Sequence, residues 1–225
     1  MSNNLLSGKK GVIFGALDEQ SIAWKVAERC VEEGATITLT NAPVALRMGK
    51  IKDLGEKLGA EVIAADATST EDLEKLFTQS QEVLGGKFDF VLHSIGMSLN
   101  VRKKREYTDL KYDWMLKTFD ISAGSFHKMM QTLWKMDAMN DWGSILALTY
   151  IAAQRTFPDY SEMAESKALL ESFARSFGYL FGVRYQVRGN TISQSPTMTT
   201  AGSGVKGFDE FFGYADKMSP LGNAS

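Results

Sequence analysis

The sequence contains very little cysteine, proline or histidine. Its single cysteine, Cys30, cannot form an internal disulfide and lacks the paired spacing of a zinc site, and its apolar neighbours predict a small core residue. Four prolines beside 20 glycines exclude a collagen-like or low-complexity chain. The two histidines, His93 and His127, have no further ligand at metal spacing, so no metal site is expected.

Excess charge of one sign is also missing. The 25 Lys and Arg nearly balance the 27 Asp and Glu, for a net charge of -2, whereas nucleic-acid-binding proteins normally carry a strong basic excess. No apolar run approaches the ~20 residues of a membrane-spanning helix, and the N-terminus has no signal-peptide core. We therefore expect a cytoplasmic protein without nucleic-acid or membrane partners.

Short apolar runs alternate with amphipathic segments along the 225 residues. The runs predict strands at 11–15, 35–40, 61–65, 88–94, 143–148 and 187–193. The segments between them predict helices at 21–33, 43–58, 70–84, 112–136 and 160–180. This alternation predicts an α/β fold, a Rossmann-like doubly wound parallel sheet with helices on both faces. No linker divides the chain, so we expect one domain over 1–225, with ligand at the carboxyl ends of the strands.

The turn after the first strand is a weak candidate for a phosphate site. The strand ends at Gly15 and the helix opens with Ser21-Ile22-Ala23, so a phosphate could approach the N–H groups at the helix N-terminus. The G-x-G-x-x-G fingerprint is absent. On these residues alone, an ordinary strand–helix turn with Ser21 as N-cap is the simpler interpretation.

The ends of the second and third strands bear on the choice of cofactor. An acidic residue after the second strand often binds the adenosine ribose, and an Arg there favours a 2′-phosphate. Thr40-Asn41-Ala42 supplies neither before Arg47, which favours NADH over NADPH. Asp66-Ala67, after the third strand, either contacts adenine or caps its own loop.

Two tyrosines and a lysine form the candidate catalytic set. Tyr150 closes the fifth strand, Tyr160 is expected to open the next helix, and Lys167 follows seven residues later. At about 100° per residue, seven steps return to within ~20° of the same helix face. A nearby ammonium would lower the pKa of a phenol, and the pair would stabilise a developing oxyanion. Tyr–Lys pairs are also common on solvent-facing helices, so the spacing alone does not decide.

Taken in order, four motifs resemble the divergent short-chain dehydrogenase/reductase family, and within it the bacterial NADH-dependent enoyl-[acyl-carrier-protein] reductases. They are Gly15 separated by five residues from Ser21-Ile22-Ala23, then His93-Ser94-Ile95-Gly96, then Tyr150, then Tyr160 and Lys167 separated by six residues. Ketone-reducing enzymes of the short-chain type have Tyr three residues closer to Lys, where this chain has Met163. A ketone reductase of the same fold and a non-catalytic nucleotide-binding scaffold remain alternatives.

The resemblance implies a reaction and the roles of three residues. A trans-2-enoyl thioester bound to acyl carrier protein would be reduced in type II fatty-acid biosynthesis, with hydride passing from NADH to the β-carbon. Tyr160 would hydrogen-bond the thioester oxygen as charge collects there. Lys167 would bind the nicotinamide ribose, and Tyr150 would line the acyl pocket and assist. The resemblance also implies a homotetramer.

The remaining site residues are implied by the same resemblance. The expected cofactor-binding residues are Gly15, Ser21, Ile22, Ala42, Asp66, Ala67, Ile95, Gly96, Lys167, Thr197, Met198, Thr199, Thr200 and Ala201. The expected substrate-binding residues are Met97, Ser98, Tyr150, Met163 and Phe208. Helix packing is an equal alternative for Met163 and Phe208. Relatives continue through a further helix and strand, so the last strand of the family is expected to be absent from these 225 residues.

A basic run, Arg102-Lys103-Lys104-Arg105, follows the fourth strand. Acyl carrier proteins are acidic, so the run is a candidate docking patch. A solvated loop is the more common role of such a run.

Overall fold

A computed structural model describes residues 2–157, 159–200, 202 and 208–220. The strands are β1 (Lys10–Phe14), β2 (Thr36–Asn41), β3 (Glu61–Ala64), β4 (Phe88–His93), β5 (Met139–Thr149) and β6 (Arg188–Ser193). The helices are α1 (Ile22–Glu32), α2 (Pro43–Met48), α3 (Ile51–Leu58), α4 (Thr70–Leu84), α5 (Leu99–Arg102), α6 (Tyr112–Phe119), α7 (Ser125–Lys135), α8 (Met163–Tyr185) and α9 (Phe208–Met218). Short 3-10 turns cover Tyr107–Asp109 and Ile151–Ala153, and a π turn covers Asp120–Gly124.

The six strands form one parallel sheet in the order β3-β2-β1-β4-β5-β6. This confirms the predicted doubly wound parallel sheet. The strand order reverses between β1 and β4, so a crevice opens where the carboxyl ends of these two strands diverge. None of the described helices is both long and apolar enough to cross a bilayer.

Both faces of the sheet are covered by helices. Along β1, Val12 and Phe14 belong to one buried cluster and Ile13 belongs to the other, as the two-residue period of a strand requires. Cys30 packs against the second cluster, partly rather than fully buried, and burial raises the pKa of its thiol to about 11. The strands therefore read as continuous apolar runs because both faces are buried.

Local signals set the bounds of α4, and the prediction of 70–84 is confirmed. The Ser69 hydroxyl accepts a hydrogen bond from the backbone N–H of Asp72 at 3.2 Å. At the other end, Gly85 adopts the left-handed conformation with φ of 70°. Both caps lie within a few residues of the helix, so the sequence pattern alone was sufficient.

The single helix predicted over 43–58 is wrong. The helix breaks at Gly49, which is extended with φ -103° and ψ 179°. A Cβ atom at Gly49 would lie 2.7 Å from the backbone oxygen of Leu17, and that oxygen accepts a hydrogen bond from the N–H of Lys50 at 2.8 Å. Packing against the turn after β1 therefore divides the segment into α2 and α3.

The segment 112–136 is helical as predicted, but it is not one regular α-helix. Residues Asp120–Gly124 form a π turn between α6 and α7. Within this turn the Ser122 hydroxyl accepts from the N–H of Met97 at 2.9 Å and lies 3.2 Å from its carbonyl oxygen. The irregular turn thus presents a hydroxyl to the segment that follows β4, a frequent use of π turns near functional sites.

Candidate active site

Gly15 forms the tight turn at the end of β1. Its φ is +93°, and a Cβ atom there would lie 2.0 Å from the carbonyl oxygen of Ser94, just after β4. Only glycine allows the two strands at the reversal point to end this close together. The turn predicted from the sequence is present.

The start of α1 leaves backbone donors available. Ser21 is the N-cap residue, but its hydroxyl donates to the carbonyl of Asp18 at 2.7 Å and accepts from the N–H of Leu17 at 3.2 Å. Within the described part of the chain, the N–H groups of Ile22 and Ala23 have no hydrogen-bond acceptor. Such groups at a helix N-terminus are the donors that bind phosphate.

The ends of β2 and β3 lie on one side of this turn. Asn41 donates from its side-chain amide to the carbonyl of Ala16 at 3.0 Å and accepts from the N–H of Ala42 at 2.9 Å, which braces the turn. The Asp66 carboxylate accepts from the N–H and hydroxyl of Thr68 at 2.9 and 2.7 Å. The loop-capping role of Asp66 is therefore present, and the adenine contacts of Asp66 and the buried Ala67 stay predictions.

On the other side, the end of β4 meets α8. Gly96 is exposed, and a Cβ atom there would lie 3.8 Å from Lys167 Nζ and 4.0 Å from Met163 Cε. Lys167 is buried and donates from Nζ to the carbonyl of Leu148, in β5, at 2.7 Å. Burial lowers the pKa of Lys167 to about 8. Lys167 and Met163 thus both border Gly96, next to Ile95.

The two candidate tyrosines lie together. The ring centroids of Tyr150 and Tyr160 are 5.0 Å apart, and the centroid of Phe157 lies 5.4 Å from that of Tyr150. The prediction that Tyr160 opens the helix is wrong, because α8 begins at Met163. Positive φ angles at Asp159 and Ser161, 63° and 46°, keep this stretch out of the helix.

Tyr160 and Lys167 therefore do not share a helix face, and the prediction that they do is wrong. The loop between β5 and α8 brings Tyr160 beside Tyr150 at the end of β5. The expected lowering of the pKa of Tyr160 is also wrong. Burial, and then the neighbouring Tyr150, raise the pKa of Tyr160, and burial raises that of Tyr150. Both phenols are protonated at neutral pH and can donate hydrogen bonds.

Met97 and Ser98 follow Gly96 in the segment after β4, and this segment is the expected substrate wall. Ser98 is the N-cap of α5, accepting from the N–H of Val101 at 3.0 Å, and its buried hydroxyl donates to Glu162 Oε1 at 2.7 Å. Met97 is held at its backbone by Ser122. Sequence reasoning identified neither Glu162 nor Ser122 as a site residue.

The segment after β6 reaches the turn after β1. The Thr200 hydroxyl donates to Asp18 Oδ2 at 2.6 Å. Nearby, the Thr197 hydroxyl donates to the carbonyl of Ser195 at 3.0 Å, and the Thr199 hydroxyl accepts from the N–H of Gly202 at 2.9 Å. Met198 is exposed. Ala201 lies outside the described residues, and so does the side chain of Phe208, where α9 begins.

Both histidines are part of the packing. His93 Nε2 lies 2.8 Å from the Ser125 hydroxyl, and burial, together with the charge of Lys167, lowers the pKa of His93 to about 3. The ring of His127 packs edge-on against Phe173 with centroids 4.8 Å apart. His93 is therefore neutral at physiological pH.

The sheet order and the glycine turn at its reversal point define a nucleotide-binding α/β protein of the doubly wound class. The chain belongs to the enoyl-(acyl carrier protein) reductase family, whose sequence profile matches residues 15–225. The family resemblance stated from the motifs is thus confirmed.

Individual relatives agree in sequence and structure. Enoyl-[acyl-carrier-protein] reductase [NADH] 1 of Rhizobium meliloti (strain 1021) is 35% identical over 98% of this chain and 79% of its own. The FabI protein of Rickettsia typhi is 31% identical over 98% of this chain and 83% of its own. The crystal structure of the FabI-NADH complex from Alistipes finegoldii has a TM-score of 0.97 and 66% identity, covering 99% of this chain and 78% of that one.

Proposed function

We propose that this protein is an NADH-dependent enoyl-[acyl-carrier-protein] reductase, which reduces the trans-2 double bond of enoyl thioesters in type II fatty-acid biosynthesis. The observation that carries the proposal is the pair of protonated phenols, Tyr150 and Tyr160, at the end of β5. Membership of the family and the names of the relatives support the same reaction.

The crevice fits a dinucleotide. The N–H groups of Ile22 and Ala23, which have no acceptor among the described residues, suit the pyrophosphate. Gly15 keeps the turn beside them tight, because a Cβ atom there would collide with the Ser94 carbonyl oxygen. We assign Ser21, Ala42, Asp66 and Ala67 to the pyrophosphate and adenosine half, Ile95, Gly96 and Lys167 to the nicotinamide ribose, and 197–201 to the segment that closes over it. NADH, when bound, supplies the hydride.

Tyr160 holds the proton that the reaction needs near the thioester oxygen. Because its pKa is raised, the hydroxyl stays protonated and donates a hydrogen bond where negative charge collects. Lys167, with a pKa of about 8, is an ammonium at neutral pH. One of its three hydrogens binds the Leu148 carbonyl, which leaves the others for the ribose hydroxyls.

The acyl chain is assigned to the apolar side of the substrate wall. Met97, Met163 and Tyr150 would line the pocket, together with Ser98 and Phe208. Met163 also bears on the ketone-reductase alternative, since a ketone-reducing site of this fold has its tyrosine at that position. A thioether beside Gly96 cannot protonate a carbonyl oxygen, so the position of the phenol favours enoyl reduction.

The acyl carrier protein would dock on the basic run after β4. Arg105 donates to Asp109, so its charge is already neutralised. Among the described residues, the exposed side chains of Arg102, Lys103 and Lys104 have no ion-pair partner. A chain with a net charge of -2 needs a local positive surface to attract an acidic carrier, and this one directly follows the expected substrate wall.

We also assign a homotetramer. Exposed apolar side chains on α6 and α8, Tyr112, Leu116, Tyr179 and Val183, support self-association of these helices. Light scattering coupled to size-exclusion chromatography tests it directly, and a monomer would contradict the assignment.

The test of the reaction follows NADH oxidation with crotonyl thioester, with NADPH and acetoacetyl thioester in parallel. We expect oxidation of NADH that requires the crotonyl substrate. Tyr160→Phe should lower kcat by about 100-fold, since it removes the positioned donor, while leaving the Kd for NADH unchanged. Tyr107→Phe, a change at an exposed tyrosine, is the matched control.

The other outcomes discriminate between the alternatives. Oxidation with acetoacetyl thioester alone would establish the ketone reductase instead. NADH binding without turnover of either thioester would leave the nucleotide-binding scaffold.

A further inference from the structure

Glu162 is a buried carboxylate in the short stretch between Tyr160 and α8. Only 1% of the surface of Glu162 is exposed. One oxygen, Oε1, accepts hydrogen bonds from three donors, Ser98 Oγ at 2.7 Å, Thr118 Oγ1 at 2.8 Å and Asn100 Nδ2 at 3.2 Å. The Thr118 hydroxyl shares its single hydrogen with the carbonyl of Trp114 at 2.9 Å. The other oxygen, Oε2, has no partner among the described residues.

Burying this carboxylate by itself lowers the free energy of unfolding. A buried carboxylate is stable only when hydrogen bonds or a cation replace its hydration. Within the described part of the chain no Lys or Arg forms an ion pair with Glu162, so the three donors alone compensate it. A leucine would fill a similar volume without that cost, and this points to a use for the acceptor itself.

The three donors connect elements that are distant in sequence. Ser98 and Asn100 lie 64 and 62 residues before Glu162 and form the corner after β4, while Thr118 lies 44 residues before it in α6. Asn100 is itself held in place, exchanging hydrogen bonds with the backbone of Lys111 at 3.2 and 3.1 Å. The carboxylate therefore joins the loop that carries Tyr160 to a rigid corner.

That corner adjoins the proposed ligand sites: Gly96 is assigned to the nicotinamide ribose and Ser98 to the substrate. Glu162 lies two residues after Tyr160 and five before Lys167. We propose that Glu162 is a positioning residue: its Oε1 fixes Tyr160 at the correct distance from the substrate wall after β4. The proposal rests on the enoyl reductase function given above.

Two substitutions distinguish the effect of the Glu162 hydrogen-bond acceptor from the effect of its side-chain volume. Glu162→Gln keeps an oxygen for the three donors and places its amide where Oε2 has no partner, so kcat with crotonyl thioester should fall by less than about threefold. Glu162→Leu fills the space but accepts nothing, so kcat should fall by about 10- to 100-fold, since a displacement of about 1 Å has that effect. Thr118→Val, which removes one donor, should give a smaller loss in the same direction.

The comparison includes a control variant and a check of folding. Glu165→Gln lies one turn along α8, where the exposed carboxylate binds the Tyr107 hydroxyl at 2.6 Å, and it should leave kcat unchanged. Circular dichroism and the Kd for NADH identify any Glu162→Leu protein that has merely failed to fold.

A double-mutant cycle with Tyr160→Phe supplies a readout that a purely structural role would not move. If Glu162 acts through the Tyr160 hydroxyl, Glu162→Leu should lower kcat much less in the Tyr160→Phe background than in the wild type. Equal fold-losses in both backgrounds, or a Gln variant as slow as the Leu variant, would overturn the positioning role while leaving the reductase function intact. A wild-type protein that does not reduce crotonyl thioester would overturn both.

Discussion

At the residue scale, the site depends on polar groups that are held away from water. Lys167 remains charged at neutral pH although it is buried, and Tyr160 remains protonated because it is buried. In the proposed site the two groups therefore have different roles: the Lys167 ammonium binds the cofactor, and the Tyr160 phenol donates a hydrogen bond to the substrate. Both pKa shifts have the same physical cause, desolvation, which disfavours the charged form of each side chain, the Lys167 ammonium and the Tyr160 phenolate.

Lys167 should make the protein less stable at neutral pH than a neutral side chain would. Its pKa falls from 10.5 to about 8 on folding, a difference of roughly 3 kcal/mol at most. Below pH 8 the folded protein holds a buried charge and the full penalty applies. As pH rises from 8 towards 10.5 the folded state releases the proton before the unfolded state does, so stability increases.

Lys167→Met tests this sign. The variant should be more stable than the wild type in urea at about pH 7, and the difference in free energy of unfolding should shrink at about pH 10. It should also bind NADH more weakly. A gap that stays constant or widens with rising pH would show that Lys167 is not charged and buried as described.

Which residues could be found from the sequence depends on how local their signal is. Tyr150, Tyr160 and Lys167 belong to two neighbouring sequence motifs and were predicted as site residues from them. The structure brings the two tyrosine rings to 5.0 Å, although the expected helix face is absent. Glu162 lies between them and was missed, because its meaning depends on Ser98, 64 residues away. A glutamate next to a helix start otherwise looks like an ordinary exposed residue.

At the scale of elements, the glycine turn after β1 is a tightly constrained connection of the proposed site. Gly15 combines a positive φ with a backbone oxygen 2.0 Å from where a Cβ would stand. Gly59 also has a positive φ, 62°, but no atom lies within 4 Å of its Cβ position. The two glycines therefore separate conformational strain from steric contact.

Gly15→Ala should destabilise the protein by about 2–4 kcal/mol, because the end of β4 must move. Gly59→Ala should cost only about 1–2 kcal/mol of backbone strain. Urea unfolding measures both, and titration of NADH fluorescence should show weaker binding for Gly15→Ala alone. Equal losses of stability would mean that the contact with Ser94 is easily relieved.

Elements with local caps matched their predicted bounds, whereas those shaped by distant contacts did not. The bounds of α4 follow from Ser69 and Gly85, which flank it. The break at Gly49 follows from the turn after β1, and the π turn at Asp120–Gly124 carries Ser122 to the backbone of Met97. Neither partner can be read from the helical pattern itself.

At the scale of the whole molecule, the distribution of charge bears on the carrier protein. Among the described residues, Arg102, Lys103 and Lys104 of the proposed docking patch have no ion-pair partner. They follow the proposed substrate wall on a corner fixed by Ser98. Replacing all three by Ser should raise KM for crotonyl-acyl carrier protein by about tenfold. KM for a neutral crotonyl-pantetheine thioester should not change.

The matched control for this prediction removes the same charge elsewhere. Three exposed lysines on α3, α4 and α7, Lys52, Lys75 and Lys135, are replaced by Ser in the same way. Equal rises in KM for the carrier substrate in both triple variants would mean that overall charge, rather than a docking patch, controls the encounter.

The sequence by itself determined the alternation of strands and helices, the two-sided burial of the sheet and the motif that identifies the family. These depend on periodicity and on neighbouring residues, which a linear pattern records. Only the tertiary structure decided the strand order, the break between α2 and α3, the non-helical placement of Tyr160 and the three donors that meet at Glu162. Each of these results from hydrogen bonds or close contacts between segments far apart in the chain, whose partners are set when the sheet assembles.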